Sequence, residues 1–407
     1  MRLAFFVGCA MSLALSGCGG EDGPSPGAGG GAGGNAPPPT SGGSPSTTLF
    51  NGINDSLVQL PAVPSADRAT FGRRPYQATP TITRIGSRLW TVWMGDHLHL
   101  WESPGNFLIL SYSDDDGATW SPETYLIPQN IVTDRAFDPR LWPSPDGKLW
   151  IIYTQSGGSQ IFDGQLGTWA NVMDNPLGET PHFEPGFWLT DGLAQWPFAY
   201  NGKLYFNTDY LRSDTGESRH RERDGEHLFE LDWQNRKAKY VVTLPKVPNV
   251  EYNEGQFLVL KDNRLVYQSR SYDGIYQSVT APGSLAFGAP QRWAFFPSVA
   301  SRHVLGRSPS GRLFMVFNQE ANPSRTKMTV AFSDDEGQTW PYSAVIDTRL
   351  QISYPDVVFN EAGDKMFVMY DRSRAKTPEI VITTVSEAAI VAGQPGAFSS
   401  RTVNQQP

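Results

Sequence analysis

The sequence predicts an all-β fold, a six-bladed β-propeller, on three observations. Strand-like runs fill the chain from about residue 58, one hairpin signature recurs six times, and its copies stand 48–61 residues apart. The runs are short stretches of Val, Ile, Leu, Phe, Tyr and Trp bounded by Gly, Pro, Asn and Asp, and no long 3.6-residue apolar period competes with them. Aromatic residues make up 12% of the 407 residues and charged residues only 18%, a balance that suits strands better than helical bundles. A formal net charge of −8 argues against non-specific nucleic-acid binding, which needs a basic face. Two cysteines, at positions 9 and 18, are too few for a disulfide framework or a cysteine-based zinc site. No stretch after residue 20 is apolar enough to span a bilayer.

In chain order, residues 1–17 read as a signal peptide: a short basic start, an apolar run, then Leu15-Ser16-Gly17 ahead of Cys18. That ending resembles a bacterial lipobox, which implies cleavage before Cys18 and lipid attachment to it. The expectation is a lipid-anchored protein of the cell envelope, facing periplasm or exterior, on the outer membrane if the host is Gram-negative. Residues 18–57 are a Gly/Pro/Ser-rich tether that cannot bury a core. The propeller is expected over 58–400, with 401–407 as a tail and the protein as a monomer.

The hairpin signature is a polar turn, often with Gly, then a polar or basic residue, Leu or Met, and an aromatic-rich strand. Its Leu/Met positions are Leu89, Leu149, Leu204, Leu265, Leu313 and Met366, separated by 60, 55, 61, 48 and 53 residues. A second repeat, Ser-x-Asp-x-Gly-x-Thr-Trp, occurs at Ser113–Trp120 and Ser333–Trp340. Its residue types build a tight turn, with Asp accepting backbone N–H bonds and Gly at positive φ, and this reading is favoured over calcium binding.

If each blade is an A-B-C-D meander, the recurrent hairpin joins A to B on one face of the disc. The starts of the A strands and the ends of the B strands then ring the mouth on the other face. Counting back 11–12 residues from each Leu/Met places Gln77, Asp138, a site near Asp191 to Gln195, Glu254, Arg302 and Tyr354 at the A starts. The B ends are Asp96, Gln155, Asp209, Arg270, Asn318 and Asp371. So polar a ring suits a carbohydrate ligand.

These residues carry a resemblance to the bacterial sialidase (neuraminidase) superfamily. The second repeat matches its Asp-box (BNR repeat). Asn253-Glu254-Gly255-Gln256, with Arg270 sixteen residues after Glu254, resembles its Asn-Glu-x-Gln…Arg segment. Ser353-Tyr354-Pro355-Asp356 looks like the segment that carries the nucleophile, and Arg325 stands 29 residues before Tyr354, where the family places an arginine for the substrate carboxylate. The resemblance implies an exo-acting glycoside hydrolase that removes a terminal acidic sugar, with Tyr354 as nucleophile, Glu254 as its base and Arg270 and Arg325 as the carboxylate clamp. It implies no cofactor or metal, and a glycan as partner.

Two departures stand out. Tyr76-Gln77-Ala78-Thr79-Pro80 occupies the place of the Phe/Tyr-Arg-Ile-Pro segment, so Gln77 replaces the first clamp arginine, with Arg73, Arg74 and Arg84 nearby. The acid/base position in the loop of the first blade holds Glu102, eleven residues before Ser113, with Asp96, His97 and His99 as rivals. His97-x-His99 on a strand would share a face as a metal pair, or could hydrogen-bond sugar. Asp138 is a further ligand-binding candidate within Arg135–Trp142. Two alternatives remain open: a polysaccharide lyase acting on uronate-containing glycans through Tyr354 or a histidine, and a non-catalytic glycan-binding propeller.

Overall fold

A computed structural model describes residues 57–60, 71–128, 134–157, 166–210, 225–249, 254–320, 324–394 and 396–406. The signal segment, the tether, Cys18 and Asn253 lie outside the described residues. Six antiparallel sheets follow one another as blades. The first blade runs β1 (Leu57–Leu60), β2 (Tyr76–Ile85), β3 (Arg88–Asp96), β4 (Asn106–Ser113) and β5 (Thr124–Pro128), in spatial order β1-β5-β4-β3-β2. The second holds β6 (Asp134–Pro143), β7 (Leu149–Gly157), β8 (Leu166–Met173) and β9 (Phe187–Asp191). The third holds β10 (Leu193–Ala194), β11 (Phe198–Tyr200), β12 (Lys203–Tyr210), β13 (Gly225–Asp232) and β14 (Lys237–Thr243). The fourth comprises β15 (Gln256–Val259), β16 (Leu265–Ser271), β17 (Gly274–Val279) and β18 (Gln291–Trp293). The fifth comprises β19 (Val304–Arg307), β20 (Leu313–Asn318), β21 (Met328–Ser333) and β22 (Tyr342–Asp347). The last holds β23 (Ile352–Phe359), β24 (Met366–Arg372), β25 (Glu379–Val385) and β26 (Phe398–Gln405).

The expected architecture is therefore the observed one, and the six signature residues open or nearly open β3, β7, β12, β16, β20 and β24. Residues 401–405, expected as a tail, belong instead to β26, the outer strand of the last blade. The core is divided into apolar clusters that each fill a gap between neighbouring blades. One joins Leu108 and Leu110 to Ala136 and Tyr153, and another closes the circle by joining Trp93 and Phe107 to Phe367 and Met369. Both Asp-box repeats are hairpins, between β4 and β5 and between β21 and β22. In the first, Asp115 accepts from the Ser113 hydroxyl at 2.7 Å, the Thr119 N–H at 2.8 Å and the Thr119 hydroxyl at 2.6 Å. Those bonds hold its carboxyl down at about 2. Gly117 turns at φ 77° and Gly337 at φ 84°, where a side chain would be strained. The turn itself uses the carboxylates that calcium would have needed.

Among the described residues no strand is shared between the first and last blades; the circle closes through side chains and a short backbone contact in which the Lys376 N–H donates to the Pro75 carbonyl at 3.1 Å. Arg74, fully buried, donates to the Gln77 carboxamide oxygen at 2.9 and 3.1 Å and to Glu123 at 2.8 and 2.9 Å. Gln77 also accepts from the Trp93 indole at 2.8 Å and donates to Asn404 in β26 at 3.0 Å. The Arg74 N–H reaches Gln406 at 3.2 Å. Gln77 is wholly enclosed in this clasp and does not line the mouth. The expectation that placed it there assumed one hairpin length for all blades, whereas the turn between β2 and β3 holds only two residues, Gly86 and Ser87.

Arg74→Ala leaves Glu123 and the Gln77 oxygen without their cation and should lower the unfolding free energy by about 3–5 kcal/mol. Urea titration checks this, with Arg264→Ala, at a half-buried surface residue, as a control that should stay within about 0.5 kcal/mol of wild type.

Candidate active site

The inner strands break at a common place. In β2, β6 and β23 the register shifts between Ala78 and Thr81, between Phe137 and Arg140, and between Ser353 and Asp356. Each shift contains a residue followed by proline: Thr79-Pro80, Asp138-Pro139 and Tyr354-Pro355. Proline has no N–H to offer the ladder, so pairing skips there and the residue before it is expelled as a bulge. Thr79, Asp138 and Tyr354 take φ of 52°, 46° and 56°, and Glu254, ahead of Gly255, takes 44°. Trp196-Pro197 also interrupts the inner strand of the third blade, between β10 and β11, but without a positive φ at Trp196. The residues at the inner openings are thus Thr79, Asp138, Trp196, Glu254, Arg302 and Tyr354. Two of the expected six, Gln77 and the span Asp191 to Gln195, are displaced by Thr79 and Trp196.

These side chains converge. Tyr354 is 7% exposed, and four guanidinium carbons surround its ring: Arg374 at 4.1 Å, Arg302 at 4.9 Å, Arg325 at 5.4 Å and Arg270 at 5.9 Å from the centroid. One nitrogen, Nη1 of Arg270, donates to the Tyr354 hydroxyl oxygen at 2.9 Å and lies 2.6 Å from Oε2 of Glu254. Burial alone would raise the Glu254 carboxyl, but Arg270 first, then Arg302, Arg140 and Arg325, outweigh it and hold the group below its ordinary range. Arg325 donates to the Ala300 carbonyl at 2.9 Å, and its burial lowers its pKa. Trp196 lies between Arg140 at 4.6 Å and Arg302 at 4.9 Å.

Glu254 is held by the peptide that follows it. The Gly255 N–H donates to Oε1 of Glu226 at 2.9 Å, Asn207 donates to the Gly255 carbonyl at 3.0 Å, and Asn207 also bonds Glu226. Tyr267 donates to the other Glu226 oxygen at 2.6 Å. A Cβ on Gly255 would stand 2.4 Å from Tyr267 and 2.5 Å from Glu226, so only glycine fits this grip.

The remaining candidates separate into two groups. Glu102 reaches the site: it accepts from the Tyr76 hydroxyl at 3.0 Å and lies 3.8 Å from Nη1 of Arg374. Asp138 also faces it, within electrostatic reach of Arg140, Glu102, Glu254 and Arg302. His97 instead packs against Phe71 and Phe107, at 5.1 and 6.1 Å between ring centroids. His99 braces its own loop, with Nδ1 2.9 Å from the Ser103 hydroxyl and 3.4 Å from Asp96. Asp96, a rival for the acid, is spent on the same loop, accepting from the Leu98 and His99 N–H groups at 2.7 and 2.8 Å. Among the described residues no group of three or more His, Cys, Asp and Glu is placed to hold a metal ion.

Arg374 escaped the sequence reading. It follows the end of β24 on a segment whose backbone lies against β2: the Gln77 N–H donates to the Arg374 carbonyl at 3.0 Å. Its Nε and Nη2 donate to Asp371 at 3.1 and 3.0 Å, which aims the guanidinium over Tyr354. Arg84, by contrast, bonds the Phe359 carbonyl at 3.0 Å. The readable signal was Asp371 at a strand end with an arginine three residues on.

A family model described as a BNR repeat-like domain matches residues 201–368. No curated protein matches the chain. Among solved structures, a protein of unknown function from Dyadobacter fermentans is 14% identical, with TM-score 0.57 over 75% of this chain and 94% of that one. Trypanosoma rangeli sialidase in complex with sialic acid is 13% identical, with TM-score 0.57 over 76% of this chain and 54% of that one. The leech intramolecular trans-sialidase complexed with 2,7-anhydro-Neu5Ac is 10% identical, with TM-score 0.61 over 80% of this chain and 70% of that one. The chain thus spans about half the length of the trypanosomal enzyme, and the fold is a sialidase-like six-bladed β-propeller with BNR repeats.

Three buried carboxyls are pushed upward. Burial, then Asp209, raises Glu226 to about 8, and burial raises Asp138 and Asp356 to about 6. A group whose folded pKa is raised stabilises fully below its unfolded value of about 4 and loses that contribution as pH climbs through the folded value. Urea midpoints should therefore fall between pH 5 and pH 9. Glu226→Gln should flatten the part of that decline lying between pH 6 and pH 8.

Proposed function

We propose that this chain is an exo-acting glycoside hydrolase of the sialidase superfamily that removes a terminal acidic, sialic-acid-like sugar, with Tyr354 as its nucleophile. The observation that carries the reading is the single Arg270 nitrogen shared by the Tyr354 hydroxyl and the Glu254 carboxylate. A free tyrosine hydroxyl ionises near about 10 and needs an adjacent base to attack at neutral pH. Glu254, kept ionised by its arginines, is that base, and the shared guanidinium offsets the charge that develops on the phenol oxygen. As the Tyr354 oxygen bonds the anomeric carbon, its proton goes to Glu254. The glycosidic bond breaks with its electron pair on the leaving oxygen, which a carboxylic acid protonates. Water then hydrolyses the glycosyl–tyrosine intermediate by the reverse proton path.

A sugar that bears a carboxylate suits the surroundings. A neutral nucleophile avoids repelling it, and guanidinium forks bind it in pairs of parallel hydrogen bonds. Arg270, Arg325 and Arg374 form the clamp. Arg374 supplies from the last blade the cation that Gln77 does not, since Gln77 is committed to closing the ring. A monomer tethered through Cys18 to a bacterial envelope membrane would present this mouth to glycans outside the cytoplasm, and the Leu15-Ser16-Gly17-Cys18 stretch supports that placement.

Protein lacking residues 1–47 should release free acidic sugar from a fluorogenic sialoside. Tyr354→Phe should lower kcat at least about 10³-fold. Arg374→Ala removes one charge-assisted contact and should lower kcat/KM by about 10–100-fold, chiefly through KM. Unsaturated products from a uronate polymer, with no sialoside cleavage, would instead identify a lyase.

A further inference from the structure

We infer that the proton donor to the leaving oxygen is Asp138 of the second blade, and that Glu102 positions Arg374 instead. The inference rests on the glycosidase reading above and names the one group that reading leaves open. Asp138 sits on the same kind of X-Pro bulge as Tyr354, at φ 46° against 56°, and the two are equally exposed at 7%. Both side chains are thus delivered to the axis by the same backbone device and reach solvent to the same extent. Oδ1 of Asp138 is buried with no hydrogen-bond partner in the protein, an arrangement that costs stability unless a ligand or a held proton makes use of it.

Glu102 is differently placed. It already accepts from the Tyr76 hydroxyl at 3.0 Å and lies 3.8 Å from the Arg374 guanidinium. Together with Asp371, it fixes the guanidinium that covers Tyr354. Asp138 faces Arg140 and Arg302 as well as Glu102 and Glu254. Burial is the largest influence on its carboxyl and, with the two carboxylates, outweighs the arginines and raises it to about 6. A carboxyl in that range keeps its proton under mildly acidic conditions and gives it up readily, which is what a general acid needs.

In the step itself, the Asp138 proton passes to the glycosidic oxygen as the bond to the anomeric carbon breaks, and that bond's electron pair stays on the oxygen. Asp138 is left as a carboxylate. It recovers a proton from the water that displaces Tyr354 from the sugar, and the Tyr354 oxygen takes back the proton held by Glu254.

Leaving-group dependence tests this. An aryl sialoside departs without protonation, whereas an alkyl glycan such as sialyllactose does not. Asp138→Asn should slow cleavage of sialyllactose by about 10²–10⁴-fold and change the aryl sialoside by less than about tenfold. The fall in wild-type sialyllactose cleavage as pH rises past the Asp138 value should vanish in the variant. Glu102→Gln should lower both substrates together, through KM. Asp138→Glu keeps the test open if the asparagine variant folds poorly, since it retains a carboxyl proton and should keep more sialyllactose cleavage than a loss independent of the leaving group would allow. A leaving-group-dependent loss in Glu102→Gln but not in Asp138→Asn overturns the assignment. So do equal losses on both substrates in folded Asp138→Asn. If wild-type protein cleaves neither substrate, the glycosidase reading itself falls, and this assignment with it.

Discussion

The site depends on a hydrogen bond that cannot be made. Proline in the inner strand of a propeller blade interrupts the ladder at a fixed height, and at Thr79, Asp138 and Tyr354 the residue before it takes the left-handed region. An ordinary strand alternates its side chains between the two faces of the sheet and would send Asp138 or Tyr354 into a gap between blades. The bulge redirects them to the axis. Because the interruption occurs at equivalent heights, separate sheets deliver tyrosine, aspartate, tryptophan and threonine to one ring. Positive φ at a non-glycine residue is costly, about 1–3 kcal/mol each, and it persists here because neighbouring blades hold it. The Thr79 N–H and the Ser353 hydroxyl both donate to Asp371, at 2.9 and 2.7 Å, and the Ile82 N–H donates to Asp356 at 2.8 Å.

Gathering charge at this ring creates a second constraint. Arg140, Arg270, Arg302, Arg325 and Arg374 are opposed by Glu254, Asp371 and Glu102 and, once they ionise above about pH 6, by Asp138 and Asp356, most of these groups being buried. Such a cluster is tolerable only while each charge has a counterpart, because a lone buried ion is penalised far more than a pair. Arg140 shows the pressure: burial, then repulsion from Arg302, lowers it to about 9. An anionic group entering among the guanidiniums would relieve that repulsion.

Much of this was legible in the sequence. Hairpin chemistry is local, so the Gly and Asn turns before Leu89, Leu149, Leu204 and the rest announced six blades, and Ser113–Trp120 and Ser333–Trp340 announced their turns. Glu254, Arg270, Arg325 and Tyr354 were found because they stand at repeat-equivalent or motif positions, and the structure brings them together. What failed was counting. A uniform offset from the hairpin cannot anticipate that the first blade turns in two residues, so Gln77 was named where Thr79 stands. The X-Pro pairs at Thr79, Asp138, Trp196 and Tyr354 would have given the right positions, because they mark the bulge itself. Arg374 was beyond such rules: it reaches Tyr354 from a segment between β24 and β25 that pairs with the opposite end of the propeller. His97 and His99 were misleading because loop bracing and aromatic packing use the same residue type as sugar binding does.

The clasp between the first and last blades also sets a timetable. Arg74 and Gln77 are made early on the ribosome, whereas Asn404 and Gln406, which they grip, are among the latest of the described residues to emerge. Tyr354 and Arg374 belong to that late blade, while Tyr76 and Glu102 belong to the early one. Five blades can form in order of synthesis without assembling the mouth. Its full set of charges comes into register only when the last sheet docks, so the nascent chain carries the parts of the site long before it has the site.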